Sequence, residues 1–200
     1  MASVTWWSSE DLWRKVAIWV TAVMFVVLII LTFDSMSEIQ SGTDRVPPYS
    51  VINQRIFYQL DETRNRMVPV IGEPAPLFGE TLSGEQAEQL VTKGKLTIQG
   101  KNCINCHTLL GNGSYYAPDL TKAWLDVAWG SEQIREQLMV SFLMNPNTNA
   151  RTFGSGRKMP NLGITEEEAK GIVAFLKWMS AIDTNGFPNN FKPMKQGGES

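Results

Sequence analysis

The strongest pattern along the chain is an apolar run from Val16 to Phe33, VAIWVTAVMFVVLIILTF, eighteen residues without a charge. A helix needs roughly 20 residues to cross the hydrocarbon core of a bilayer. Trp6, Trp7, Trp13 and Trp19 gather at its N-terminal end, as an interfacial aromatic belt does. A cleaved signal peptide is the competing reading. The run is long for an h-region and no A-x-A-like site follows, although TFDSMSEIQSG offers small residues. Arg14 and Lys15 precede the span, while Asp34 and Glu38 follow it. The positive-inside rule therefore leaves the N-terminus in the cytoplasm and residues 34–200 outside, and Glu10 and Asp11 count little in that rule.

Residues 35–82 show no sustained period. Pro47, Pro48, Pro69, Pro74 and Pro76 exclude a long helix. Two readings stand side by side. SVINQRIFYQL and RMVPVIG form two strands around the turn-like DETRN, or the segment is a proline-rich spacer.

From Ser83 the period becomes helical. Ser83 with Gln86 makes a capping box, and Ala87, Leu90 and Val91 form an apolar stripe running toward Gly94 and Ile98. A third helix is expected over 131–144, with Ser131 as its cap and Pro146 just beyond its end. The last helix opens on Thr165 with Glu168. Three consecutive glutamates favour its N-terminal dipole, and Ala169, Ile172, Val173, Leu176 and Met179 share one face. The expected organisation is an anchor (1–34), the proline-punctuated segment (35–82), a small helical domain (83–185) and an irregular tail (186–200). The fold class is all-α, with a single membrane helix and, on the first of the two readings, a small β-hairpin.

Composition narrows the function. The net charge is −2 with no basic cluster, which argues against nucleic acid. Both cysteines and the single histidine fall in one pentapeptide, Cys103-Ile104-Asn105-Cys106-His107. C-x-x-C-H is the attachment signature of c-type haem. The two thiols add to the haem vinyl groups, and the adjacent imidazole reaches the iron. A thioredoxin-like motif would need a βαβ setting, a zinc site would need a fourth ligand, and a Cys103–Cys106 disulfide would close only a tiny loop. Maturation of c-type cytochromes on the outer side of the bacterial cytoplasmic membrane agrees with the topology above.

With no second histidine, a methionine is the natural sixth ligand. Met139, Met144 and Met179 lie on expected helices, where methionine usually fills core space. Met159 sits in the loop GSGRKMPNLG beside Pro160 and is the favoured candidate. The alternative is an open sixth position, which would suit a haem sensor or peroxidase.

CxxCH, the Gly94-to-Ile98 spacing, Pro118 with Leu120, a loop methionine and Trp178 in the last helix together resemble a class I cytochrome c domain. More narrowly, CINCHTLLGNGSYYAPDL (103–120), RKMPNLGITEEE (157–168) and FLKWMSAIDTN (175–185) resemble the small, haem c-bearing subunit of cytochrome c-dependent nitric oxide reductases. The resemblance covers the anchor and roughly residues 83–190. Residues 34–82 are longer than that family leads one to expect, and GFPNN departs from its usual DWPP-like ending.

The resemblance implies covalent haem c on Cys103 and Cys106, with His107 and Met159 as axial ligands and Pro118, Leu120 and Trp178 in the pocket. It also implies a calcium ion at the boundary with the catalytic subunit, held by the Gly113 carbonyl and Tyr115. Without it, GNGSYY reads as a tight turn and two packing tyrosines. The implied function is electron entry. A soluble cytochrome c or cupredoxin donates electrons, and the chain passes them to haem b of a multi-pass subunit that also holds non-haem iron and reduces two NO to N2O and water. One histidine cannot also build that catalytic centre, so the chain itself is a non-catalytic electron-transfer subunit. A tethered cytochrome serving another haem–copper oxidase, or a free shuttle, shares the same residue-level features.

Overall fold

The computed structural model describes residues 6–43, 45–146 and 157–188. The irregular tail expected over 186–200 therefore lies largely outside the described residues, as do the glycines that precede Arg157.

The apolar run lies inside a longer helix, α1 (Glu10–Ile39, 30 residues), whose N-cap Ser9 accepts from Leu12 N. At about 1.5 Å per residue the helix is about 45 Å long, more than the ~30 Å hydrocarbon core. It is long and apolar enough to cross a membrane, and none of its side chains is buried. At its start Trp6 stacks on Trp7 with ring centres 4.0 Å apart, and the Trp13 indole donates to Trp7 O.

Past Ile39 the chain makes a hydrogen-bonded elbow rather than a loose tether. Thr43 Oγ1 donates to the α1 carbonyl of Glu38, while Gly42 N and Thr43 N both donate to Val46 O. Ser41 Oγ and the Trp178 indole both donate to Pro47 O, and Asp183 N donates to Arg45 O. The elbow thus joins the end of α1 to the end of the last helix.

Residues 49–82 build a β element. A 3-10 turn over Tyr49–Asn53 leads into β1 (Gln54–Asp61), which pairs antiparallel with β2 (Arg66–Pro74). The strand begins later than the sequence pattern suggests, and a bulge between Gln54 and Ile56 marks its entry. Asp61 Oδ1 accepts from Thr63 N, Thr63 Oγ1 and Arg64 N, which closes the DETRN turn. Pro69 is tolerated opposite Tyr58 because a two-stranded sheet has only edges. Ile56 and Tyr58, two apart, point inward, and with Val51, Ile52 and Leu77 they join the same buried core as the helices. The spacer reading is thus replaced by a packed hairpin.

The helical part comprises α2 (Gly84–Gly100), α3 (Glu132–Met144) and α4 (Glu166–Ser180). Both expected capping boxes form, at Ser83/Gln86 and at Thr165/Glu168. Ser131 occupies the N-cap position of α3 but makes no side-chain cap bond; its carbonyl alone accepts from Ile134 N and Arg135 N. Ala87, Val91 and Ile98 of α2 meet Ala169, Ile172 and Val173 of α4, and Met139 and Met179 fill the core as expected. The two helices touch at Gly94 and Gly171. A Cβ on Gly94 would lie 1.9 Å from Gly171 O, so only glycine permits this approach.

Among the described residues three basic side chains are buried, Lys122, Arg135 and Lys177. The Arg135 guanidinium and the Lys177 ammonium both lie over the Trp124 ring, 5.4 Å and 5.1 Å from its centre. Lys177 Nζ donates to Ala75 O. Lys122 Nζ donates to Ser180 O and Ile182 O at the C-terminus of α4 and sits 5.5 Å from the Tyr58 ring centre. Each Nζ thus donates to a carbonyl of a distant segment, which offsets part of the cost of its burial.

Candidate functional site

Helix α2 delivers the pentapeptide. Its C-cap is Lys101, and Asn102 then takes a left-handed conformation (φ 57°) that turns the chain into one 3-10 turn, Cys103–Asn105. Cys106 N and His107 N both donate to Cys103 O, which gathers the two thiols and the imidazole on a single turn. Both cysteines are free and half-buried, and burial raises the Cys103 thiol above its ordinary value. The motif follows a helix, not a strand, so the thioredoxin setting is not the one observed.

Residues past His107 fold back over the motif. β3 (Thr108–Leu109) pairs with β4 (Asn112–Gly113) across Leu110 and Gly111, both with positive φ, as tight two-residue hairpins require. Gly113 has φ 119°, and a Cβ there would lie 2.3 Å from His107 O. Ser114 N donates to Ile104 O, Ala117 N to Cys106 O and Leu120 N to Thr108 O. These bonds bring the Pro118 carbonyl within 2.7 Å of His107 Nδ1. That contact assigns the proton to Nδ1 and leaves Nε2 as a lone-pair donor. Burial lowers the imidazole below its ordinary value, the Pro118 bond opposes this, and the net effect favours the neutral ring that a metal needs.

Met159 is half-buried in the loop before α4 and packs against the core. Leu120 does likewise. Trp178 stands at the elbow, its indole on Pro47 O and its ring near Tyr49 (5.2 Å between centres) and Phe175 (6.0 Å). Tyr115 and Tyr116 are not packed inside the protein: they are 74% and 53% exposed. Gly113 has a steric reason to be glycine whatever its carbonyl binds. The part that Lys101, Tyr116 and Arg157 take in fastening the Met159 loop gave no signal in the sequence, because it depends on contacts between segments far apart along the chain.

Two free thiols on one turn, beside an imidazole whose Nδ1 is committed to a carbonyl, form a donor set that suits covalent haem attachment with histidine ligation. The comparisons with known proteins agree. A family model for cytochrome c matches residues 91–180. The C subunit of the nitric oxide reductase of Stutzerimonas stutzeri is 34% identical over 115 residues, covering 56% of this chain and 74% of that one. The C subunit of the Halomonas halodenitrificans nitric oxide reductase is 28% identical over 112 residues, 56% of this chain and 73% of the relative. That of Cereibacter sphaeroides is 32% identical over 111 residues, 50% and 67% respectively. The chain thus belongs to the family of nitric oxide reductase C subunits, c-type cytochromes, and carries one N-terminal apolar helix.

Proposed function

We propose that this chain is the membrane-anchored electron-entry subunit of a nitric oxide reductase. It takes electrons from a soluble periplasmic donor, a cytochrome c or a cupredoxin, and passes them to haem b of a catalytic subunit that converts two NO to N2O and water. The observation that carries this reading is the pentapeptide turn, with its two free thiols and its imidazole fixed by Pro118 O, in a chain of this family. Cys103 and Cys106 would hold the haem covalently, and His107 Nε2 and the Met159 thioether would bind its iron. When bound, haem c supplies one-electron iron chemistry, and a methionine ligand favours a raised potential. Pro118 orients His107, while Leu120 and Trp178 border the pocket.

The functional units are the anchor (1–34), the hairpin segment (35–82), the cytochrome domain (83–185) and the tail (186–200). The N-terminus lies in the cytoplasm and the cytochrome domain in the periplasm, as Arg14 and Lys15 ahead of the span support. The exposure of Tyr115, beside the Gly113 carbonyl, supports a calcium ion shared with the catalytic subunit, since calcium takes oxygen ligands of this kind. The elbow speaks against a freely swinging shuttle, because hydrogen bonds from Trp178 and Asp183 hold Pro47 and Arg45, the segment that follows α1.

The test is to isolate the chain from its native membrane in mild detergent and assay the eluate for haem b, non-haem iron and NO consumption. All three are expected together. A chain that emerges alone, with only a six-coordinate haem c, would replace this reading with an anchored electron carrier serving another oxidase.

A further inference from the structure

The loop that carries Met159 is fastened on both sides by cations, and each fastening leads to the haem-attachment segment. On the N-terminal side, Arg157 Nη1 donates to Tyr116 O at 2.8 Å, and the guanidinium lies 4.7 Å from the centre of the Tyr116 ring. On the C-terminal side, Lys101 Nζ donates to Leu162 O and Gly163 O, both at 3.3 Å, and lies 3.7 Å from Glu168 Oε2 at the start of α4. Arg157 is two residues before Met159. Tyr116 is two residues before Pro118, whose carbonyl orients His107, and Lys101 is two residues before Cys103. The loop between the fastenings has no regular secondary structure, and its own bond is short-range, Gly163 N to Asn161 Oδ1. These two clasps therefore tie the loop to the histidine side, alongside the packing of Met159, Leu162 and Ile164 on the core.

We infer that Arg157 and Lys101 are positioning residues for Met159, fastening its loop to both ends of the haem-attachment segment and so setting how often the sixth coordination position is open. The inference rests on the reading that Met159 is the axial ligand. A neutral thioether contributes no charge attraction of its own, so its hold on the iron is sensitive to how well the backbone presents it. Loss of either clasp raises the open fraction, and an external ligand binds in proportion to that fraction.

The test uses the full-length haem-loaded chain in detergent, with carbon monoxide as the probe of the ferrous form. The ferric methionine–iron charge-transfer band and the reduction potential are the second and third readouts. Arg157→Met and Lys101→Met keep the aliphatic stems. Each is expected to speed CO binding roughly tenfold, equivalent to about 1.4 kcal/mol, and the double variant by about the product. The band weakens and the potential falls in step. Arg157→Lys restores part of the effect, because an ammonium reaches Tyr116 O but cannot lie flat on the ring. Both side chains reach solvent, so thermal midpoints stay close to the parent value. Met159→Ala is the control. If it opens the site while the clasp variants keep the parent CO rate, band and potential, the clasp inference is overturned alone. If Met159→Ala itself changes none of the three, the ligand assignment fails and the inference with it.

Discussion

Replacing Gly94 with alanine tests the helix crossing on which the whole site stands. A Cβ at this position lies 1.9 Å from Gly171 O, 2.4 Å from Gly171 C and 2.8 Å from Ile172 N, all backbone atoms that no side-chain rotation can move. Relief requires α2 and α4 to part by about 1 Å, a gap that forfeits a quarter to a half of the dispersion across it. Val91, Ile98, Ile172 and Val173 are the large side chains sharing that seam. Their burial is worth about 8 kcal/mol together, so separation costs about 2–4 kcal/mol. Alanine returns about 1 kcal/mol of helix propensity. The net destabilisation is about 1–3 kcal/mol, the range expected for an overpacked core. In thermal unfolding of the haem-loaded chain the midpoint should fall by roughly 4–10 °C. Gly171→Ala is the internal comparison. Its Cβ meets Gly94 N at 3.0 Å and Gly94 Cα at 3.3 Å, so a few tenths of an ångström suffice and the midpoint should move by less than half as much. Equal effects at the two positions, or an unchanged midpoint for Gly94→Ala, would refute the idea that this one contact sets the helix spacing.

Three further outcomes follow from other parts of the molecule. Burial lowers Lys122 to about 7 from an ordinary value of 10.5. Between those values the unfolded chain binds the extra proton, so stability rises with pH from about 7 to 10, by at most ~1.4 kcal/mol per unit. The stability of the parent relative to Lys122→Met, measured by urea unfolding, should therefore grow across that window; a constant difference would show that the ammonium is not desolvated. Gly113→Ala combines a φ of 119° with a 2.3 Å approach to His107 O, and should cost about 2 kcal/mol or more and sharply cut the yield of haem-loaded chain. Normal loading would mean the turn can relax. Tyr115→Ala, at an exposed position, should leave the visible spectrum and thermal midpoint unchanged while the complex with the catalytic subunit dissociates at lower dilution in size-exclusion runs. A complex as robust as the parent's would remove Tyr115 from the interface.

The parts of the fold that were legible share a physical reason. Helices α1, α2 and α4 announce themselves through long apolar stretches or a 3.6-residue stripe, and two of them through capping boxes whose bonds are local in sequence. The pentapeptide was legible because haem attachment constrains residue type and spacing within five positions. The hairpin was only half legible. Its turn is local, but the burial of Ile56 and Tyr58 depends on segments well separated in sequence, such as that of Lys122, which lies against the Tyr58 ring. The basic residues were not legible at all. Lys122, Arg135 and Lys177 read as surface charges, and only the fold supplies the carbonyls and aromatic faces that let them be buried. Trp178 reads as a wall of the haem pocket, and the structure adds that its indole donates to Pro47 O at the elbow, a contact 131 positions distant in sequence. The hydrogen bonds of the clasps on the Met159 loop end on backbone carbonyls, which every residue possesses, so no sequence pattern marks where they fall.

The elbow turns the membrane helix into a crank. Because α1 continues into hydrogen bonds with the globular part, the azimuth of α1 about its own axis also sets which face the domain turns toward its neighbours in the membrane plane. A helix advances about 100° and ~1.5 Å per residue. A single residue gained or lost within α1 would swing the domain through more than a quarter of a circle while hardly changing its height above the bilayer. Evolution of α1 is thereby constrained in length as well as in hydrophobicity: substitutions that keep it apolar cost little, whereas a one-residue insertion redirects the domain.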